Sequence, residues 1–251
     1  MDPSRHRGRR EIFLMTIEGQ HAVITGAGRG IGRSISLALA AAGVEVVLAS
    51  RTKSQLEAVA LEIKTLGGIA HVVPTDVSDE IEVEDLAKIA VDACGTIEIL
   101  VNNAAQFGGG PVADLDVAIW DKVMATNMRG VFLATKAFLP VMTKAGGGSV
   151  VMISSTSGKR ADAGSSAYAA SKYGLIGFSD ALRQEVRRDD IRVVVVCPSA
   201  VDTGVKDPSL VQQSGRAVRL MGEDIAQAVV DVCQMPPRAM IREFEVWCTN
   251  P

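Results

Sequence analysis

Short runs of apolar, mostly β-branched residues recur along this chain, separated by longer amphipathic stretches, and that alternation restricts the possible folds more than any other feature. Seven runs read as strands: His21 to Thr25, Val44 to Ala49, Ala70 to Thr75, Ile97 to Val101, Ser149 to Ser154, Ile191 to Cys197 and Ile241 to Cys248. Six stretches between them carry helical periodicity: Gly30 to Ala42, Lys53 to Leu66, Asp79 to Cys94, Asp114 to Thr143, Ser166 to Arg188 and Glu223 to Gln234. The fourth is long enough to hold a break. A helix between consecutive strands returns the chain to the same end of the sheet, so the strands run parallel with helices on both faces. Val193 to Val196 is apolar without alternation, as a strand covered on both sides should be. The expectation is a doubly wound α/β fold with a seven-stranded parallel sheet.

Composition narrows the function classes. A chain of 251 residues that is 47% hydrophobic can bury one sizeable core. We expect a single domain over residues 16–251, preceded by a disordered basic extension over residues 1–15. Arg5, Arg7, Arg9 and Arg10 face only Asp2 in the first ten residues, while the whole chain carries a formal net charge of −3, so the body is acidic. An acidic body argues against nucleic-acid binding. No apolar run is long enough for a membrane span, and the start lacks the apolar segment of a secretory signal, so a cytoplasmic location is expected. Cys94, Cys197, Cys233 and Cys248 form no CxxC pair, and His6, His21 and His71 stand in no metal-ligand spacing. No metal is expected, and the thiols read as reduced and structural.

In an open parallel sheet, ligands bind beyond the carboxyl ends of the strands, where strand order reverses. The polar and glycine motifs fall there. Thr25 to Gly32, TGAGRGIG, follows the first run; Ser50 and Arg51 follow the second, Asp76 and Val77 the third, Asn102 and Asn103 the fourth, Ser154 and Ser155 the fifth, and Pro198 to Thr203 the sixth. The glycine turn does not hold the G-x-G-x-x-G register and reads T-G-x-x-x-G-x-G. Gly26, Gly30 and Gly32 still permit a tight turn, and Arg29, Gly30 and Ile31 open a helix whose free N–H groups can meet a pyrophosphate. Tyr168 and Lys172 are four residues apart and share one helical face.

These motifs, in this order, resemble the short-chain dehydrogenase/reductase family over Gln20 to Cys248, with features of the 3-oxoacyl-[acyl-carrier-protein] reductases. The resemblance implies a Rossmann-type sheet and a homotetramer or homodimer built partly on the helices carrying Asn127 and Tyr168. It also implies that Asp76 meets the adenine amine, that Val77 and Asn103 lie along the cofactor, and that Val201 and Thr203 hold the nicotinamide carboxamide. Asn127 is expected to hold a water leading from Lys172 to solvent. Two positions depart from the family pattern: Ala105 follows Asn102-Asn103-Ala104 where glycine is usual, and Ser199 follows Pro198 where glycine is usual. The chain also lacks the glycine-rich ending of 3-oxoacyl reductases.

The end of the second strand reports on cofactor choice. A carboxylate there would accept the ribose 2′-OH of NAD. Ser50 stands in that place, with Arg51 next and Arg29 in the turn, so two cations can flank a 2′-phosphate and NADP(H) is expected over NAD. A phenol with a pKa of about 10 is a poor base on its own. Lys172 is expected to favour its phenolate and to reach the nicotinamide ribose, so that Tyr168 serves as acid and base. Ser155 is expected to donate to the carbonyl oxygen as charge develops there. The reading is an NADP(H)-dependent enzyme interconverting a ketone and a secondary alcohol, 3-oxoacyl thioesters included. The alternatives are an NADP(H) sensor without turnover, and an interaction protein acting through its basic leader. Gln106 to Pro111, Thr156 to Ala167 and Thr203 to Gly222 read as the substrate wall.

Overall fold

The protein is described here by a computed structural model covering residues 15–202 and 219–249. The chain runs β1 (His21–Thr25), α1 (Gly30–Ala41), β2 (Glu45–Ser50), α2 (Lys53–Thr65), β3 (Ala70–Pro74), α3 (Glu80–Cys94) and β4 (Ile99–Asn102). It continues through α4 (Val117–Met124), α5 (Gly130–Ala145), β5 (Gly148–Ile153), α6 (Ser166–Val186), β6 (Ile191–Pro198), β7 (Val201–Asp202), β8 (Leu220–Met221), α7 (Gly222–Cys233) and β9 (Glu243–Val246). Seven strands form one sheet in the order β3-β2-β1-β4-β5-β6-β9, every neighbouring pair parallel. All seven predicted strands are in it, and the fold is the expected Rossmann-type one.

Strand alternation divides the core between the two faces. Ala22, Ile24, Val46, Leu48, Val151, Ile153, Val194 and Val196 pack with α1, α2 and α7. Val23, Val47, Ala49, Val150, Met152, Val193 and Val195 pack with α3, α5 and α6. Successive side chains of a strand point to opposite faces, so a strand covered on both sides must be apolar at every position. The outer strand β9 is anchored by a buried cation: Arg183 of α6 donates through Nε to Val193 O at 3.1 Å and through Nη2 to Arg242 O at 3.1 Å, and pairs with Asp180. Such a charge is tolerable because hydrogen bonds replace its water.

Three local features add to the sequence expectations. The break that the stretch Asp114 to Thr143 could hold is present: Asp116 caps α4 by accepting from Ala118 N at 2.8 Å, and residues Ala125–Arg129 widen into a π-turn before α5. A π-turn adds a residue to one turn and re-aims the side chain it carries, here Asn127. The pair β7 and β8 forms a two-stranded parallel sheet not foreseen from the sequence. Met15 is among the described residues, its N–H donating to Gln234 O at 2.9 Å, and Ile17 is buried. Residues 1–14 lie outside the described residues. Among those described, no helix is long and apolar enough to cross a membrane. All four cysteines are free thiols, and burial pushes Cys197 up to about 11 and Cys233 up to about 12, as unreactive structural thiols should be.

Candidate active site

The strand order reverses between β1 and β4, and Thr25 locks that point. Its buried hydroxyl donates to Val101 O at 3.2 Å and accepts from the N–H groups of Asn103 and Ala104, both at 3.0 Å. Asn103 then braces the glycine turn, its Nδ2 donating to Thr25 O at 2.9 Å and Gly26 O at 3.2 Å. The turn beyond is shaped by space. A Cβ on Gly32 would stand 2.2 Å from Gly26 O, and one on Gly26, whose φ is +67°, would meet the Ala104 backbone at 2.9 Å. No side chain fits, so backbone N–H groups form the surface.

That surface suits an anion. α1 begins at Gly30, its capping position Arg29 provides no side-chain cap, and no acidic residue occupies its first turn. Free N–H groups at a helix start carry partial positive charge. Beside them the buried Ser50 hydroxyl has no partner within the protein, and Gly28 lies against Ser50 and Gln55. An unpaired buried hydroxyl is costly unless a ligand satisfies it. Arg29 and Arg51 are both exposed at this end. A dinucleotide phosphate and a ribose substituent therefore fit the residues present. Asp76 accepts from Ser78 N at 2.9 Å and Ser78 Oγ at 2.6 Å. Burial works against its charge, but those bonds and the nearby Arg51 and Lys122 prevail and hold its carboxyl below the usual range. The start of α3 is capped instead by Asp79, which accepts from Ile81 N and Glu82 N. Val77 is buried against Gly130.

The catalytic candidates gather at the ends of β5 and β6. The Ser155 hydroxyl accepts from Ser157 N at 3.1 Å, and Ser155 and Tyr168 line the same cavity. Lys172 is buried, its Nζ donating to Ile153 O at 2.8 Å while lying 5.6 Å from the centre of the Tyr168 ring. Burial outweighs the lowering of the phenol expected of Lys172. It pushes the Tyr168 phenol up, with Ser155 opposing, so the side chain is held neutral. The same burial pulls Lys172 down to about 8. At neutral pH the ammonium is still the main form, fixed over the ring and against a carbonyl.

Asn127 comes to the same place, with its amide committed. Its Oδ1 accepts from Gln106 N at 2.7 Å, and its Nδ2 donates to Gln106 O and Ser171 Oγ, both at 3.0 Å. Ser171 in turn donates to Tyr168 O at 2.7 Å. Both amide hydrogens are used, so a relay water has acceptor positions of Asn127 alone. Ser171 is a positioning residue absent from the sequence reading, and Gln106, read there only as part of the substrate wall, braces Asn127 as well; a serine on a helix and a glutamine in a loop carry no pattern that separates bracing from solvation.

A cavity of about 480 Å³ opens over the phenol, with Ile31, Phe107, Ser155, Tyr168, Ser199 and Arg219 among its walls. Phe107 flanks the phenol, the two ring centres 5.2 Å apart and tilted by 52°. A second cavity of about 580 Å³ adjoins it through Ser155, Ser199 and Ala200, and reaches Lys159, Arg160 and Trp247. Gln106 to Pro111 and Thr156 to Ala167 thus contribute wall residues as expected. The contribution of Trp247 was not foreseen: it follows from β9 lying parallel beside β6, a pairing that only the sheet reveals. The buried Ser199 hydroxyl, where the family pattern has glycine, is without a protein partner. Val201 lines the first cavity, whereas Thr203, and with it most of the third expected wall segment, lies outside the described residues.

A phenol, a hydroxyl and a buried ammonium converging beside a glycine turn is an arrangement that comparison can decide. A sequence model described as short chain dehydrogenase matches residues 20–213. The chain belongs to the short-chain dehydrogenase family. It is 37% identical to the uncharacterized oxidoreductase YxbG of Bacillus subtilis, across 84% of this chain and 76% of that protein. A metagenomic short-chain oxidoreductase solved in complex with NADP superposes with a TM-score of 0.82 at 34% identity, covering 93% of this chain and 99% of that one. A 7α-hydroxysteroid dehydrogenase solved with NADH and 7-oxo glycochenodeoxycholic acid gives 0.85 at 28% identity, covering 93% and 94%. As a short-chain dehydrogenase, the protein is an oxidoreductase acting between alcohols and carbonyl compounds with a nicotinamide cofactor.

Proposed function

We propose that this short-chain dehydrogenase reduces a ketone to a secondary alcohol with NADPH, through Tyr168, Ser155, Lys172 and Asn127. The observation that carries the reading is a buried phenol, kept neutral by burial, that opens with Ser155 on the 480 Å³ cavity. The cofactor supplies the hydride. As negative charge develops on the carbonyl oxygen, Ser155 donates to it and Tyr168 hands over its proton. The phenolate left behind is stabilised by the Lys172 ammonium over its ring, and is reprotonated from the side where Asn127 and Ser171 join α6 to the π-turn.

Preference for NADPH is supported by an unpaired Ser50 hydroxyl where NAD binding would call for a carboxylate, with Arg51 and Arg29 exposed beside it. Gly26, Arg29, Gly30, Ile31 and Gly32 would carry the pyrophosphate, with Asp76, Val77 and Asn103 along the adenine side. Val201 and Thr203 would face the nicotinamide. Self-association is supported by apolar side chains exposed on α4 to α6, among them Val117, Trp120, Phe132 and Tyr173.

The test is oxidation of NADPH and of NADH against cyclic ketones, diketones and 3-oxoacyl thioesters, by wild type and Tyr168→Phe. The reading expects NADPH-dependent turnover, lost by a factor of about 10² to 10⁴ in the variant while NADPH binding persists. Comparable turnover by Tyr168→Phe would refute the acid role. NADPH binding without turnover of any carbonyl would favour the sensor instead.

A further inference from the structure

At the opposite end of the sheet from the active site, the apolar stripe on the α3 side gives way to ligand-type side chains. Val23, Val47 and Val73 pack into the core under α3, α5 and α6. Two residues earlier on each strand, on the same face, stand His21, Glu45 and His71. The register places His21 opposite Glu45 and His71 opposite Val47. α3 runs down this face and ends at Cys94. Among the described residues, Glu45, His71 and Cys94 form a group whose ligand atoms all lie within 4.8 Å of one another. His71 Nε2 is 2.6 Å from Glu45 Oε1, and Cys94 Sγ is 3.8 Å from that same oxygen.

We propose that Glu45, His71 and Cys94 form a binding site for one Zn²⁺ ion, with water completing the coordination. Zinc bonds of about 2.0–2.1 Å to nitrogen, 2.0–2.2 Å to oxygen and 2.3 Å to sulfur set tetrahedral ligand atoms about 3.3–3.6 Å apart. The thiol to carboxylate distance already suits this, and the imidazole and carboxylate need only part by under about 1 Å. A thiolate and an imidazole select zinc over magnesium or calcium, which prefer all-oxygen sites. The side chains of His71 and Glu45 are 33% and 25% exposed, which leaves an entry path and room for the water. A second carboxylate, Glu98, lies at the same end of the sheet, accepting from His21 N at 2.8 Å. It adds negative potential that a dication would relieve. Binding releases the Cys94 thiol proton to solvent.

The role is structural. Five residue steps along β2 separate Glu45 from Ser50, about 17 Å, so the ion is remote from the reacting groups and joins β2, β3 and α3 to one another. No sequence motif announces it, because the ligands come from three elements and meet only through strand register.

Full-length protein, freed of metal by chelation, is titrated with Co²⁺ as a coloured zinc surrogate and then with Zn²⁺. One equivalent of Co²⁺ should bind with a near-ultraviolet thiolate charge-transfer band, Zn²⁺ should bleach that band, and stoichiometric Zn²⁺ should raise the melting temperature. Cys94→Ser should abolish the band, and Glu45→Gln should weaken binding tenfold or more. Circular dichroism and metal-free melting of each variant check its fold, with Cys94→Ala as a second thiol deletion. Absence of a stoichiometric band in wild type overturns the proposal. So does a band of equal intensity in the folded Cys94→Ser and Cys94→Ala proteins, which would put the metal elsewhere.

Discussion

Replacing Gly32 by alanine tests the glycine turn at its tightest point. The added Cβ would stand 2.2 Å from Gly26 O and 2.5 Å from Asn103 Nδ2. An ordinary carbon–oxygen contact is about 3.3 Å, so the turn and the first residues of α1 must separate by roughly 1 Å. The backbone oxygen cannot swing aside, and Asn103 Nδ2 is tied to Thr25 O and Gly26 O. Overpacking of this kind costs about 1–3 kcal/mol, which for a chain of this length, at about 2–4 °C per kcal/mol, lowers the melting temperature by roughly 2–12 °C. Moving the start of α1 by that distance also loses at least one N–H contact to a bound phosphate, about 1.5–3 kcal/mol for a charged acceptor, or roughly ten- to hundredfold in affinity. The assay is thermal melting together with titration of NADPH by its fluorescence. Gly177→Ala is the control: it lies exposed in α6 where a Cβ meets nothing within 4 Å. It should gain about 0.5–1 kcal/mol from helix propensity and leave NADPH affinity unchanged. If Gly32→Ala matched wild type in both melting and NADPH affinity, the steric account of the turn would be wrong.

Three further outcomes follow from the geometry. Lys172 sits at about 8 because burial disfavours its charge, so the ammonium is present below that pH and lost above it, while the raised phenol stays neutral throughout; carbonyl reduction should therefore hold steady to about pH 8 and then fall. A flat profile of kcat/KM through pH 9.5 would contradict that assignment. Arg51→Asp puts a carboxylate beside Ser50 and Asp76, and should move preference from NADPH toward NADH, read as the ratio of kcat/KM for the two cofactors; an unchanged ratio would remove Arg51 from 2′-phosphate recognition. Asn103→Ala leaves Thr25 O and Gly26 O without their shared donor, and should cost about 1–3 kcal/mol in denaturant unfolding; a loss below 0.5 kcal/mol, on the same scale, would mean the turn supports itself.

Much of the fold was legible because periodicity is a local property. The valines of β6 read as a strand buried on both faces, and they are. The stretch from Asp114 to Thr143 was long enough to suggest a break, but a π-turn preserves helical backbone and apolar spacing on both sides, so nothing in the residue pattern places the extra residue at Asn127. β7 and β8 escaped notice because two-residue strands are too short to show a period. At the site, residue types and their positions at strand ends were enough to bring Tyr168, Ser155 and the glycine turn together. Side-chain neighbours added what the sequence did not show: Asn103 also braces the turn from beneath, and Lys172 is a cation over a phenol that burial keeps neutral.

By itself, then, the order of apolar runs determined the parallel α/β architecture, because alternation between periods of two and 3.6 is written residue by residue. The Tyr168 to Lys172 spacing likewise determined that two reactive groups share one helical face. Only the tertiary structure decided what depends on strand order and register. It set Trp247 beside Ser199 through the pairing of β9 with β6, left the Ser50 and Ser199 hydroxyls buried and unpaired, and gathered Glu45, His71 and Cys94 within 4.8 Å at the far end of the sheet. Those are contacts between residues tens of positions apart, made by hydrogen-bonded register and close packing, and no local pattern encodes them.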